Sequence, residues 1–235
     1  MPLDRQERYR CCYAVMHPGW RPASHIYQEL VAAHLTPITR VLDLGCGRGG
    51  VLEHLHPYAG FVAGLDPDLA SLQEHRAPAL ALVCGLAEKL PYADRSFDLV
   101  CSSWVLKHLP DPARAFFEIA RVLVTGGHFV FLAPNKRHPL LILNRALQPV
   151  QRRLVSYLYG RAEDDTFPAL YRANTPARIE RLAREAGLSR VSLHLIGDPT
   201  YLAFSERLFR LACLMEHIIP PALRVHIVGE YVRLA

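Results

Sequence analysis

The chain has 235 residues, 51% of them hydrophobic and 21% charged, with a formal net charge of +5. That composition excludes a disordered chain and is long enough for one large core, while 14 Gly and 18 Pro without a period exclude collagen-like and solenoid architectures. Apolar runs such as Leu140–Leu143 fall far short of the ~20 residues that span a bilayer, and the opening MPLDRQERYR lacks a secretory apolar stretch, so a cytoplasmic protein is expected.

Residues 1–39 read as a helical lead-in broken at His17-Pro18-Gly19. Ser24 is a candidate cap for a helix reaching Leu35, with Ile26, Leu30 and Ala33 on one face. A short buried strand at 41–44 enters the cluster Gly45-Cys46-Gly47-Arg48-Gly49-Gly50, and a helix at 51–56 follows. A second strand, 61–65, ends at Asp66-Pro67; a helix at 68–77 and a strand at 80–83 come next. A polar loop with Glu88, Lys89, Asp94 and Arg95 precedes a strand at 97–101. Asp111-Pro112 is a cap followed by proline, and Phe116, Ile119, Ala120 and Leu123 keep helical spacing up to Gly126-Gly127. A fifth strand is expected at 128–132. Thr175-Pro176 repeats the capping device, Ile179, Leu182, Ala183 and Ala186 supply an inward face, and Gly187 is a stop. Strands at 191–196 and 224–234 complete the chain.

This alternation predicts an α/β, Rossmann-like doubly wound sheet of seven strands whose last strand is antiparallel. The division expected is a single domain, 1–235, made of the lead-in 1–39, a core at 40–133 and two insertions, 134–174 and 198–223. Ligands bind at the carboxyl ends of strands in such sheets, so both insertions are candidate lids or walls of a substrate pocket. In the second, Leu208, Leu211, Ala212 and Met215 predict an amphipathic helix.

Six Cys, at 11, 12, 46, 84, 101 and 213, show no Cys-x-x-Cys, and twelve His show no ligand spacing; buried thiols and no metal site are expected. Lys136, Arg137, Arg145, Arg152, Arg153 and Arg161 bring six positive charges without an acid, leaving the remainder near −1. The basicity therefore belongs to one segment rather than to a nucleic-acid-binding face. Interleaved with Leu140–Leu143 and Leu154–Tyr159, residues 136–161 suit a peripheral membrane or lipid contact, an anionic lipophilic substrate, or an active-site cover.

Gly45-x-Gly47-x-x-Gly50 fits a dinucleotide fingerprint, and Asp43-x-Gly45-x-Gly47-x-Gly49 fits a methyl-donor loop. In both, glycine lets backbone approach the ligand and a helix N-terminus supplies N–H groups. Asp66, about 20 residues on, suits ribose hydroxyls of either cofactor. Asp43 tips the balance: beside a pyrophosphate it repels, whereas it attracts the ammonium of a methionine moiety.

Val41-Leu-Asp-Leu-Gly-Cys-Gly-Arg-Gly49, Gly64-Leu65-Asp66, the stretch Ala87–Tyr92 through Ser96-Phe97-Asp98, and Ser103–Pro112 stand in order at the expected spacings. Over roughly residues 38–134 the chain resembles the class I S-adenosylmethionine-dependent methyltransferases, type 11 branch. The resemblance implies S-adenosylmethionine as cofactor, with contacts from Asp43, Gly45, Cys46, Gly47, Asp66, Pro67, Leu86, Ala87 and Ser102. It departs at Leu86, where an Asp often binds the adenine amino group, so adenine would be held by backbone at Leu86 and Ala87 and by apolar packing. Lys107 stands where Glu is usual. Cys101 lacks the Pro-Cys context of cytosine methyltransferases and reads as filler. The sequence after the fourth strand, Cys101-Ser102-Ser103-Trp104, is unlike the Asn/Asp-Pro-Pro-Tyr/Phe of amine methylation.

His108 is the candidate catalytic base, with ordering of its loop as the other reading, and His138 a weaker second candidate. Tyr9 and Trp20 either close over the methionine end or pack in the core. The expectation is methyl transfer to oxygen or carbon of a small acceptor. Leucines, Tyr157, Phe167, Tyr171 and Tyr201 suit a hydrophobic or aromatic one such as a quinone, polyketide or isoprenoid. An RNA methyltransferase using 136–161 and a catalytically silent cofactor-binding module are the alternatives.

Overall fold

The computed structural model describes residues 3–143 and 168–235. Arg145, Arg152, Arg153, Arg161, Leu154–Tyr159 and Phe167 lie outside them, so four of the six cations of the basic segment do as well. Seven strands form one sheet in the order β3-β2-β1-β4-β5-β7-β6. They are β1 (Arg40–Leu44), β2 (Phe61–Asp66), β3 (Ala81–Cys84), β4 (Phe97–Ser103), β5 (Leu123–Pro134), β6 (Leu188–Ile196) and β7 (His226–Arg233). The first five pair in parallel, and β7 runs antiparallel to both β5 and β6. The expected seven-stranded Rossmann-like sheet with an antiparallel last strand is therefore the observed one.

Chain order explains where a ligand can enter. The chain winds from β1 outward through β2 to β3, then returns past β1 to start β4, so the sheet order reverses between β1 and β4. Loops leaving their carboxyl ends diverge to opposite sides and open a crevice. Helices cover both faces. On one, α2 (Ala23–Ala33) sets Ala23, Tyr27 and Val31 against Val41, Leu99, Val130 and Val228. On the other, α5 (Pro112–Val122) and α6 (Pro176–Glu185) bury Phe116, Ile119, Ile179 and Leu182 against Leu42, Val100, Phe129, Phe131 and Tyr231. With both faces covered, central strands are continuous apolar runs. Further helices among the described residues include α1 (Leu3–Met16), α3 (Val51–Leu55), α4 (Leu69–Gln73) and α7 (Glu206–Ile218).

Several boundaries differ from the sequence expectation for physical reasons. Pro22, not Ser24, stands at the N-cap of α2, and the helix stops at Ala33, one residue before His34. Its buried face is Ala23, Tyr27 and Val31, with Ile26 and Leu30 flanking and Ala33 exposed. α5 ends at Val122, and Leu123 is already extended and buried as the first residue of β5, so helical spacing continued into a strand that satisfies the same core. The helix expected at 68–77 is only Leu69–Gln73, capped by Asp68 through Ala70 N and Ser71 N. In α7 the inward residues are Phe209 and Ala212, while Leu208 and Leu211 face outward. Only Cys46 and Cys101 are buried thiols; Cys11, Cys12 and Cys84 are exposed.

One polar clamp fixes the loop between β3 and β4. Glu118 of α5 is buried, accepts from Leu90 N at 2.9 Å and pairs with Arg121 at 2.8 Å. Arg121 then donates to the carbonyls of Tyr92 (2.8 Å) and Leu90 (3.0 Å) and to Asp94 (2.7 Å). Glu118→Gln weakens the pairing and leaves Arg121 and the Leu90 amide short of an acceptor in a buried place. Urea unfolding at pH 7 should show a loss of about 2–3 kcal/mol, against less than about 0.5 kcal/mol for the exposed pair partner in Glu185→Gln.

Candidate active site

β1 ends at Leu44, and the backbone then turns through three residues of positive φ: Gly45 (+78°), Gly47 (+50°) and Gly49 (+118°). L side chains are strained there, which is why glycine recurs at alternate positions. A Cβ on Gly45 would also lie 2.1 Å from a Val105 methyl, because the turn after β4 packs directly on the loop. Gly45 N and Cys46 N donate to the Leu65 carbonyl at 2.7 and 3.2 Å, tying the loop to β2.

Asp66 ends β2 beneath this loop. One carboxylate oxygen accepts from Gly47 N and the other from Asp68 N, both at 2.9 Å. The residue is buried, and a carboxylate offers about four lone-pair sites, so acceptor capacity remains. Gly85 N donates to the Asp66 carbonyl at 3.1 Å, and the Cys84 thiol to the Pro67 carbonyl at 3.5 Å, which brings the end of β3 alongside. There Leu86 is 58% exposed while Ala87 is buried.

Asp43 lies on β1 between Gly64 of β2 and Cys101 of β4. The Cys101 thiol sits 3.8 Å from its carboxylate, with Tyr27 of α2 packed in the same cluster. Burial pushes the Asp43 carboxyl up to about 7; the thiol contact opposes this and the charge of Asp66 adds to it. Burial likewise drives the Cys101 thiol and Tyr27 hydroxyl well up, so the thiol is a protonated neighbour of the acid, as a filler role requires.

Near the end of β4, Ser102 is buried, and its hydroxyl has no hydrogen-bond partner among the described residues. Trp104 adopts φ +66° with its N–H bonded to the Leu132 carbonyl at 2.8 Å. Its ring meets His226 of β7 edge-on at 5.2 Å, and His226 Nε2 shares a 3.0 Å hydrogen bond with the Tyr201 hydroxyl. His226 is buried, its pKa pushed down to about 4 by that burial, so the ring is neutral at pH 7. His138 is buried nearby on the chain leaving β5, also pushed down to about 4, with Nε2 3.9 Å from Glu216. His108 Nδ1 donates to the Pro168 carbonyl at 3.2 Å, while Leu170 N and Tyr171 N donate to the Lys107 carbonyl, so 168–171 is sewn to the post-β4 turn.

The first part of the lead-in, α1 through Trp20, packs elsewhere. Tyr9 packs on Phe209 with centroids 4.4 Å apart and the rings tilted by 38°, Tyr13 meets Trp20 edge-on, and Trp20 Nε1 donates to the Gly197 carbonyl at 2.8 Å. Arg10 pairs with buried Asp198 at 3.1 Å. These aromatics are thus core packing between α1 and the segment after β6.

Residues 42–131 match the family profile described as a methyltransferase domain. A demethylmenaquinone methyltransferase of Roseiflexus sp. (strain RS-1) is 31% identical over 175 residues, 67% of this chain and 71% of that protein. The protein of that name from Roseiflexus castenholzii is 30% identical over 197 residues, 76% of this chain and 78% of its own. The chain belongs to the class I S-adenosylmethionine-dependent methyltransferases, type 11 branch. Its fold is also that of the geranyl diphosphate C-methyltransferase from Streptomyces coelicolor, with a TM-score of 0.64 at 14% identity, over 89% of this chain and 77% of that one. This methyltransferase uses S-adenosylmethionine.

Of the residues singled out in the sequence, Gly45, Cys46, Gly47, Asp66, Pro67, Leu86 and Ala87 converge around the ends of β1, β2 and β3, with Asp43 buried below them. Ser102 lies at the end of β4, and His108 sits on the turn beyond it. His226 was missed: a lone His at a strand start carries no local signal, and only the antiparallel return of β7 brings it opposite Pro134.

Asp43 has a measurable signature. The folded chain, with a carboxyl near 7, keeps a proton that the unfolded chain, near 3.8, releases, so this group lowers stability as pH rises from about 4 to 7 and adds nothing further above 7. Asp43→Asn removes that slope. The wild-type unfolding free energy minus that of the variant should fall by about 2–4 kcal/mol between pH 4.5 and 7.5, measured by urea titration at each pH.

Proposed function

We propose that this methyltransferase transfers a methyl group to oxygen or carbon of a small hydrophobic or aromatic acceptor of the quinol or prenyl type. The observation that carries the reading is the neutral, buried His226 against Trp104 and Tyr201 at the carboxyl edge of the sheet, where Val105, next to Trp104, packs on the glycine loop. The two Roseiflexus relatives are named for demethylmenaquinone, which supports an acceptor of the quinol type.

The residues present fit S-adenosylmethionine. Asp66 has acceptor capacity left for ribose hydroxyls, Leu86 offers an exposed apolar surface for adenine, and Ser102 has a buried hydroxyl awaiting a partner. A Cβ built at Gly50 would meet nothing within 4 Å, and one at Gly47 only an Asp66 oxygen at 3.9 Å, so the backbone at these two glycines is open to a close approach, while Gly49 between them faces Glu53 and Arg76. Asp43, directly or through the loop backbone, balances the ammonium of the methionine moiety. When bound, this cofactor supplies an electrophilic methyl group on a sulfonium.

The chain's own task is then alignment and exclusion of water. Trp104, Tyr201 and His226 hold an apolar acceptor with few competing charges. His108, its ring proton held on Nδ1 by Pro168, uses Nε2 to take the proton that the acceptor loses. The chain works as one domain, with 134–143, 168–174 and 198–223 flanking the acceptor side of the edge and Lys136 and Arg137 able to receive an anionic group on it.

Asp66→Ala should weaken S-adenosylhomocysteine binding by about 2–4 kcal/mol in calorimetry, with Asp66→Asn losing less because it keeps one acceptor oxygen. For the acceptor, incubation with isotopically labelled donor and a prenylated quinol should give a labelled product by mass spectrometry. Labelling confined to RNA or protein in a cell extract overturns the acceptor class. His108→Gln should reduce kcat by about 100-fold and abolish the acidic limb of the pH–rate profile. If the limb persists at a lower kcat, His108 only orders its loop.

A further inference from the structure

At the edge of the sheet opposite the glycine loop, three side chains from distant parts of the chain point at one another. His34 is the residue that ends α2, His128 lies in the first half of β5, and Glu230 lies on β7. Glu230 Oε1 is 2.8 Å from His34 Nε2 and also 2.8 Å from His128 Nδ1. The two imidazoles stack at 4.0 Å with 30° between their planes, and all three donor atoms fall within 4.8 Å of one another. We infer that His34, His128 and Glu230 form a binding site for a divalent first-row transition-metal ion of the zinc class, a staple between α2 and the sheet.

Charge supports it first. Glu230 is buried, and no Lys or Arg among the described residues pairs with it; its contacts are the two histidines. A buried carboxylate needs a cation. The groups that meet it are two imidazoles, each a ready ligand for such an ion.

Geometry supports it second. His128 Nδ1 has a carboxylate oxygen at 2.8 Å yet makes no hydrogen bond in the alignment it adopts. Atoms bound to one ion at about 2.0–2.1 Å lie about 2.9–3.4 Å apart, and the two nitrogen-to-carboxylate spacings of 2.8 Å are close to that. Two nitrogens and one carboxylate oxygen select zinc and its neighbours over magnesium or calcium. Each histidine side chain is 25% exposed, which gives an ion a path in and leaves its remaining position to water. Ser192 stands opposite Glu230 in the β6–β7 register, with a buried hydroxyl that has no partner among the described residues, and suits an outer hydrogen bond to the carboxylate.

The absence of ligand spacing in the sequence is no obstacle, since the three ligands come from elements far apart in the chain. The chelator-treated protein, titrated with zinc chloride in a calorimeter, should take up one equivalent per chain and none of magnesium, with a rise in Tm. Metal analysis after gel filtration should return the same stoichiometry. His34→Asn, at a partly exposed helix end, and Glu230→Gln should each weaken zinc by about 100-fold or more, beyond the loss expected for an outer partner, while S-adenosylhomocysteine affinity stays unchanged. Failure of the wild type to retain zinc, or equal zinc affinity in wild type and His34→Asn, overturns the site.

Discussion

Two backbone amides, Gly47 and Asp68, donate to the two oxygens of one carboxylate, Asp66, each at 2.9 Å. One amide belongs to the loop after β1 and the other to the turn after β2, so this single side chain ties the loop on one flank of the crevice to the neighbouring strand. The loop can be glycine-rich, and therefore intrinsically loose, because its conformation is imposed from β2 through this carboxylate and the Leu65 carbonyl. Burial makes the arrangement stiff, since charge-assisted hydrogen bonds in a sheltered crevice are costly to break.

The same logic of one buried charge ordering a loop recurs on the other side of the crevice. Glu118 and Arg121, a turn apart on α5, take up the backbone groups of Leu90 and Tyr92 and fix the approach from β3 to β4. Beyond β4 the work passes to backbone contacts: Trp104 bonds to β5, and Lys107 receives the amides of Leu170 and Tyr171. Each boundary of the crevice thus has its own anchor, and none depends on the surface ion pairs, which contribute little in water.

The two ends of the sheet differ in kind. At the carboxyl edge, burial leaves His226 and His138 neutral and Asp43 on the border of ionisation, a low-charge setting suited to a reactive cation and an apolar acceptor. At the amino edge, a buried carboxylate is met by two imidazoles and, among the described residues, by no Lys or Arg. β7 contributes to both, because it alone runs against the others and so starts at one edge with His226 and carries Glu230 toward the other.

What the sequence by itself determined was everything with a local signature. The alternation of apolar strands and helices, the glycine loop with Asp43 and Asp66 at its flanks, and the cap-and-proline starts of α5 and α6 follow from neighbours a few residues apart. Boundaries were less legible where two elements bury the same residue type: Leu123 satisfies the core equally as a helix end or a strand start, and only its pairing with Phe97 makes it a strand. The tertiary structure alone decided which face of α7 turns inward, where Tyr9 and Trp20 pack, and which histidines meet. His34 and Glu230 stand 196 positions apart, and Tyr201 meets a His226 that is brought back by an antiparallel turn. Side chains joined only by the closing of the sheet obey no period along the chain, so their chemistry exists only once the strands are in register.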